Sequence, residues 1–478
     1  MPGVRRRNFG GNLKIQAAAA YTPTGEQDVL RILDLHSGDR IRTIGWLHSS
    51  SEAAVTDGVL LDLKRLDQVE VCGDGDDTVA VVGAGCRIER LLGELDRQAA
   101  CTLASLGLIT EQTIAGAIST GTHGSGCSSM SHFVEAVRLA RYDPASGKAF
   151  IEEITEGAEL MAARCSLGSM GVILAVRIRC RANYNIEEHF AEYRRLSDVL
   201  SAESSFPRQQ FYLIPWRWSY FAQHRREDAR PRSPVAWLYR LYCLLAIDVA
   251  LHLMVLFFVR VLRSRRLIRF AFRRLVSSFI IRNWKVSDRS ASMLVMKHEL
   301  FRHIEIELFV RRERLADALQ YSQEVIELAG GGRSALSADN RSRLEELRMQ
   351  DALAELRGRY CHHYPICVRR VACDDTLISM AAGEGADWYS LSFISYARLG
   401  NRDGFFLFAD VMAASMSRLF GARPHWGKIC PLDAAQLESL YPRFADFRAI
   451  CKRLDPAGVF RNRWTAALLD GEEGASET

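Results

Sequence analysis

Four short stretches of this chain carry side chains whose types and spacing suit chemistry. Residues 43–51 read TIGWLHSSS, which puts one imidazole, His48, at the tip of a hydroxyl-rich turn. Such a histidine can be a base, a metal ligand, a turn residue or a nucleophile that fixes a cofactor. No carboxylate or cysteine pair adjoins it at a ligand spacing, so the metal role is the poorest of these. Residues 115–126, AGAISTGTHGSG, let backbone N–H groups approach a phosphate closely, with Thr120, Thr122 and Ser125 as hydroxyl donors. Two such loops suit the pyrophosphate of a dinucleotide cofactor, and two tight turns of a β-rich core would read the same way. His123, inside the second loop, carries the same alternatives as His48. In RPHWGK, Pro424 and Gly427 limit the backbone around His425 and Lys428. A rigidly presented cation there suits an anion that develops during reaction, and a surface lysine near a strand end is the plain alternative. The fourth stretch, RYCHHYPICVRRVAC, gathers Cys361, His362, His363, Cys367 and Cys373, but its spacing fits none of the usual zinc patterns. A β-strand with buried thiols is the expectation.

These groups need elements to hold them. A helix is predicted over 27–36, then the strand RIRTIG, the His48 turn, the β-like runs GVLLDLKRLDQVEV and TVAVVGAG, and the helical RIERLLGELDRQ. Gly83 and Gly85 stand between strand and helix as in a dinucleotide fingerprint, but Ile88 occupies the third glycine position, so a Rossmann unit is weakly supported. No GxxxxGK[ST] loop is present, which argues against a nucleoside triphosphatase. The strands AVRLARYD and MGVILAVRIRC close this half near Cys180. Short strands mixed with few helices and many glycine turns predict an α+β fold.

The second half changes character. FYLIPWRW is aromatic and strand-like, and LYCLLAIDVALHLMVLFFV, residues 241–259, precedes a run holding Arg260, Arg263, Arg265, Arg266, Arg269, Arg273 and Arg274. The apolar run is long enough to invite a membrane span. Asp248 and His252 share one helical face, however, and a central aspartate costs about 3 kcal/mol on insertion scales. A basic apolar helix lying in the headgroup plane, or docked on the protein, fits better. Further on, HIEIELFV alternates as a strand, RERLADALQYSQEVIELA is an amphipathic helix, GGGRSALSADNRS reads as a loop, and a helix covers about 405–419. The acidic tail 471–478 is expected to be disordered.

Length and composition bound the rest. At 478 residues two or more domains are expected, and 48% hydrophobic with 25% charged residues is ordinary globular usage. A net charge of +5 does not point to nucleic acid. The 12 cysteines contain no CxxC pair, and the N-terminus has no apolar signal core. A reducing cytoplasmic location follows as the expectation, with peripheral membrane contact through 241–274 beside it.

In this order, GWLHSSS, AGAISTGTHGSG, SLGSMGVI, GARPHWGK and LDPAGVFRN resemble the aldonolactone oxidase group of vanillyl-alcohol-oxidase-type covalent flavoproteins, over nearly the whole chain. The resemblance implies an FAD-binding domain at 20–182 and an α+β substrate domain at 183–429 over the flavin, including the basic apolar region 236–275. It also implies a segment at 430–470 that returns to the FAD domain. His48 would be joined to the flavin, with Gly45, Ser49, Gly116, Thr120, Gly121, Thr122, His123 and Ile173 in FAD-contacting segments. Lys428 would stabilise the reduced flavin, and Arg369 would meet substrate or flavin. The implied reaction oxidises a CH–OH group of a sugar-derived lactone or alcohol by hydride transfer to flavin N5, with oxygen or another acceptor taking the electrons. The group's active-site Glu-x-Arg is replaced here by Cys367-Val368-Arg369, and a thiol of reference pKa about 8.5 cannot stand in for a carboxylate at neutral pH. Leu108, in place of the serine of alditol oxidases, implies a less polar pocket. Trp46 and Leu47 occupy positions that the group fills with small residues. A larger apolar or lipid-linked alcohol, or an inactive flavin-binding protein at a membrane, are therefore the alternatives.

Overall fold

The computed structural model describes residues 4–73, 75–296, 300–332 and 336–470; the tail at 471–478 lies outside them. The first half is built on two sheets. Ala19–Tyr21, Val59–Asp62 and Ile41–Ile44 form a small parallel sheet in that order. A 6-stranded antiparallel sheet runs Ala149–Ile154, Val134–Tyr142, Val172–Ala182, Val79–Gly83, Val69–Cys72, with Cys101–Leu103 paired to the end of the long central strand. Every residue of Val172–Val176 is buried, as a strand covered on both faces requires. The run read as one β segment from Gly58 splits at the turn Leu63–Leu66, whose backbone closes with a 2.8 Å bond.

That turn explains the two glycines of TVAVVGAG. A Cβ on Gly85 would lie 1.9 Å from the Leu63 carbonyl oxygen, and one on Gly83 would lie 2.4 Å from that of Leu66. Val79–Gly83 is antiparallel to both neighbours, so the glycines serve close backbone packing and not a parallel nucleotide-binding unit.

The second half is an 8-stranded antiparallel sheet. Its order is Val286–Arg289, Asn185–Tyr193, Ser219–Asp228, Gln210–Ile214, Ile366–Val371, Trp388–Ser395, Ile304–Arg311, Arg423–Pro424. The helices Leu315–Ala329 and Asp403–Phe420 pack on it, with Leu319, Ile326, Phe405 and Met412 among the buried residues between. The stretch read as a loop after Gly330 becomes the helix Ala338–Glu346 from position 338, because the Ser337 hydroxyl accepts the Asn340 N–H and caps it.

The C-terminal helices fold back onto the first half. Asn462 Nδ2 donates to the carbonyls of Glu52 and Val55 at 2.7 and 2.8 Å, and the Ile41 N–H donates to Val459 O at 2.8 Å. Arg42, wholly buried, donates to Phe460 O and Leu167 O, both at 2.6 Å.

The apolar run forms one long helix, Ala236–Leu262, partly wound with wider i→i+5 turns at Cys243–Leu251 and Phe257–Leu262. Length and composition alone would let it cross a membrane. Arg263, at φ 50°, ends it, and Ser264 caps the following helix Arg265–Arg274. Several arginines of this run bind the protein body. Arg260 donates to Tyr396 O at 2.9 Å, Arg273 donates to Trp216 O at 3.2 Å, and Arg269 lies 4.6 Å over the Trp216 ring. Arg265, Arg266 and Arg274 remain exposed.

Candidate active site

The His48 turn starts where Ile41–Ile44 leaves the parallel sheet. Leu47 sits at φ 56°, a left-handed conformation that costs an ordinary side chain about 1–2 kcal/mol. Its side chain packs with Ile15, Ala17, Ile44 and Leu60, and burial of a leucine is worth about 1.5–3 kcal/mol, enough to offset the strain. Trp46 stays 47% exposed beneath the Arg87 guanidinium, 5.0 Å from its ring centre. Each of the two bulky residues thus has packing of its own, and both line the smaller cavity beside His48. His48 is sandwiched: its ring stacks on Phe9 at 4.9 Å, and its Nε2 lies 3.1 Å from Glu111 Oε2. Asn8 Nδ2 and Asn12 Nδ2 hold the Ser49 and Ser50 carbonyls at 2.8 and 2.9 Å, and the Ser50 N–H donates to Gly427 O at 2.8 Å. That last bond ties the first turn to RPHWGK, with Ser50 and Gly427 377 positions apart.

Two cavities meet at this turn. The smaller, about 120 Å³, is lined by Gly45, Ser49, Gly116, Thr120, Gly168 and Ile173 among others, and by no carboxylate among the described residues. Small residues, hydroxyls and the buried Arg42 suit an anionic, phosphate-bearing group there. The larger, about 580 Å³, shares His48, Ser49, Gln112 and Thr120 with it and extends along the second sheet. Thr122 and His123 line the larger cavity, and Gly121, at φ 71°, packs against Met380. Thr122 Oγ1 donates to Gln112 Oε1 at 3.0 Å.

The floor of the larger cavity is a face of the 8-stranded sheet. Register places Tyr212, Cys367, Ser392 and Glu307 side by side in one row, and Gln210, Arg369, Ser390 and Phe309 in the next. Period-two alternation puts His303, Glu305 and Glu307 of the strand HIEIELFV on the same face. Both carboxylates are buried and neither was singled out from sequence. Glu307 Oε1 lies 3.3 Å from His123 Nε2 and 3.8 Å from Arg369, while Arg369 Nε donates to Gln210 Oε1 at 3.1 Å. Burial opposes ionisation of Glu307, but His123 and Arg369 beside it more than offset that and hold the carboxyl well below its usual range. Glu305 Oε2 meets Lys428 Nζ at 2.5 Å, so the lysine of RPHWGK is an ion-pair partner and not a lone cation.

His425 is fixed by backbone. Its Nδ1 accepts the Gly427 N–H at 2.9 Å, its own N–H donates to Glu307 O at 2.9 Å, and burial depresses its pKa to about 3. A neutral ring whose Nδ1 accepts carries its proton on Nε2. His123, Glu307 and His425 offer ligand atoms within 4.8 Å of one another, so this cluster, and not the Cys361–Cys373 stretch, is where metal-ligating types converge. Cys367 is buried on the floor, and burial pushes its thiol up, so it is neutral at pH 7.

Away from the floor the lining is mainly apolar. Leu244, Ile247, Leu251 and Val255 of the long helix face it, with Val276 and Met293. Asp248 and His252 of the same helix also face in, and Tyr396 Oη lies 3.3 Å from His252 Nδ1. The opposite side of the helix is exposed and apolar: Leu245 54%, Leu253 52%, Phe257 50% and Val261 61%.

Comparison with known proteins places the chain. Residues 176–468 match the D-arabinono-1,4-lactone oxidase family, and residues 17–148 match the FAD binding domain family. The chain is 67% identical to a protein named long-chain alcohol oxidase from an uncultured marine euryarchaeote, over 99% of each. It is 27% identical to the L-gulono-1,4-lactone dehydrogenase of Mycobacterium tuberculosis, over 97% of this chain and 98% of that one. The fold matches cholesterol oxidase from Brevibacterium sterolicum with a TM-score of 0.71 at 14% identity, over 97% of this chain and 96% of that one. With FAD as cofactor and CH–OH groups as donors, this chain belongs to the D-arabinono-1,4-lactone oxidase family of FAD-dependent oxidoreductases.

Proposed function

We propose that the enzyme oxidises a long-chain or lipid-like alcohol drawn from a membrane surface, with its FAD joined to His48. The observation that carries this reading is the division of the 580 Å³ cavity into a charged floor and an apolar upper wall, made by a helix whose outer face is also apolar and exposed. A hydroxyl fits the floor and an alkyl chain fits the wall, at about 0.8 kcal/mol for each CH₂ removed from water. The relative named long-chain alcohol oxidase supports the same substrate class.

In this reading the flavin-binding domain is 20–182, the substrate domain 183–429, and 430–470 the returning segment. Gly45, Ser49, Gly116, Thr120 and Ile173 hold the cofactor, and Gly121, Thr122 and His123 shape its border with the substrate cavity. Bound FAD supplies the acceptor for the hydride that leaves the alcohol carbon. The chain's own residues do the rest. Arg369 and Lys428 set the charge at the floor, Gln210 orients Arg369, and the helix wall excludes water from the reacting end. Cys367 supplies shape, since its thiol is neutral. Attachment at His48 is supported by its place where the two cavities meet and by Phe9 and Glu111, which fix the ring. Acid precipitation tests it directly: wild type is expected to keep yellow flavin in the pellet and His48→Ala to release it. Acid-stable flavin in His48→Ala would remove His48 as the link.

An aldonolactone substrate is the second reading, favoured by the family match and the polar floor. Anaerobic flavin bleaching separates the two. Along the 1-alkanols, kcat/KM is expected to rise about four-fold per CH₂, the equivalent of about 0.8 kcal/mol, until the cavity is full. L-Gulono-1,4-lactone and D-arabinono-1,4-lactone are expected to bleach the flavin more slowly than 1-dodecanol. Faster bleaching by either lactone than by 1-dodecanol would overturn the alcohol assignment, and bleaching by dithionite alone would mark an inactive flavin-binding protein.

A further inference from the structure

We propose that Glu305 is the group that takes the proton from the substrate hydroxyl, so that the carboxylate missing at position 367 is supplied by a different strand. The inference rests on the alcohol-oxidation reading above.

Cys367 stands where the resembled group carries its active-site carboxylate, and a buried, neutral thiol neither accepts a strong hydrogen bond nor removes a proton. Four carboxylates line the cavity among the described residues: Asp248 lies on the helix, Glu188 of Asn185–Tyr193 is occupied by Arg225 and the Tyr239 hydroxyl, and the remaining two come from Ile304–Arg311, separated from Ile366–Val371 by one intervening strand. Ser392 of that strand pairs with Cys367 on one side and with Glu307 on the other, so the two carboxylates lie across the sheet from the thiol, on the face lining the cavity.

The two differ in what holds them. Glu307 sits against His123 and Arg369, which keep it ionised, and its own backbone carbonyl positions His425. It organises the floor. Glu305 meets Lys428 at 2.5 Å and lines the cavity one pleat nearer His303, which contacts Phe9, the ring that stacks on His48. Glu305 thus lines one cavity together with His48 and the helix residues Ile247 and Leu251. The other titratable or charged groups bearing on it are His303 and Glu307 on its own strand, Cys367, Tyr364 and Arg369, and Asp248 across the cavity on the helix.

The step balances. The substrate O–H bond breaks with its proton going to Glu305, the carbon hydrogen leaves with its electron pair for the FAD, and the C=O bond forms. The electrons then pass to oxygen or another acceptor, and Glu305 returns its proton to water.

The test uses the full-length, flavin-loaded enzyme and anaerobic stopped-flow reduction by saturating 1-dodecanol. Glu305→Gln is expected to slow reduction by about 100-fold or more at unchanged flavin content, and Glu305→Asp to regain about ten-fold over it, the range of a positioned acid–base group. Reduction by Glu305→Gln within about five-fold of wild type, or Glu305→Asp no faster than Glu305→Gln, would overturn the assignment. Wild-type flavin that no alcohol reduces would instead sink the alcohol-oxidase reading itself.

Discussion

The floor and the wall of the large cavity are built on opposite principles. The floor takes its charges from alternate positions of strands hydrogen-bonded to neighbours on both sides, and each charge has a named partner: Glu305 with Lys428, Glu307 with His123, Arg369 with Gln210. The wall is one helix, exposed and apolar on its outer side and mainly apolar toward the cavity, whose polar ties to the body gather near its two ends and at His252: Tyr239 with Glu188, Arg240 with Asp288, Tyr242 with Phe279 O, His252 with the Tyr396 hydroxyl and Arg260 with Tyr396 O. Reacting groups need positions held to a fraction of an ångström, and a rigid sheet provides them. An alkyl chain needs only surface to bury against, and a greasy helix accepts many lengths of it. The difference separates where the enzyme is exacting from where it is tolerant.

Acid should strike both regions. Burial holds His363 and the wall's His252 at about 4, and the floor's His425 at about 3, below the ordinary histidine value. Their folded pKa values are depressed, so between about pH 6.5 and 4 the unfolded chain binds more protons and stability falls as pH falls. The summed loss is expected to be on the order of 5 kcal/mol, read as a falling urea midpoint, and His252→Asn should recover part of it. A midpoint flat from pH 7 to 4 would contradict neutral burial.

Breaking the wall should be selective. Ile247→Asp puts a charge into the apolar half of the cavity and is expected to cut kcat/KM for 1-dodecanol about 100-fold, and for 1-butanol less than about five-fold. Equal losses for both would mean that the wall does not read chain length. On the cofactor side, a Cβ on Gly45 would lie 2.2 Å from Thr113 Oγ1, so Gly45→Ala should cost about 1–3 kcal/mol and lower flavin content. Unchanged denaturant midpoint and flavin stoichiometry would show that the turn gives way freely. The smallest effect concerns the outer face. The double change Leu245→Glu, Phe257→Glu should weaken sedimentation with anionic phospholipid vesicles about ten-fold at unchanged 1-butanol turnover. Equal sedimentation would remove the membrane from the picture.

Parts of the site were legible because they are local. The His48 turn, the glycine stretch at 115–126 and RPHWGK each carry their meaning within a few residues, and the α+β class follows from short strands and glycine turns. The face of a strand is different. HIEIELFV is plainly a strand, but in a sheet covered on both sides alternation does not say which face meets a cavity, and Glu305 and Glu307 read as either. Nor does spacing reveal that Tyr212, Cys367, Ser392 and Glu307 form a row, since register is set by pairing between distant segments. His123 belongs by sequence to a phosphate-type loop, but its ring turns toward Glu307, a contact 184 positions away by numbering.

By itself, then, the sequence determined the cofactor class, the turn that carries His48 and the presence of an apolar helix beside arginines, because each depends on neighbours in the chain. Tertiary structure decided that Lys428 is paired, that the carboxylates come from Ile304–Arg311, and that one side of the apolar helix lines a cavity while the other faces out. Those outcomes depend on which strands pair and which helix leans on them, and burial of apolar surface across the whole chain, not any local preference, sets that arrangement.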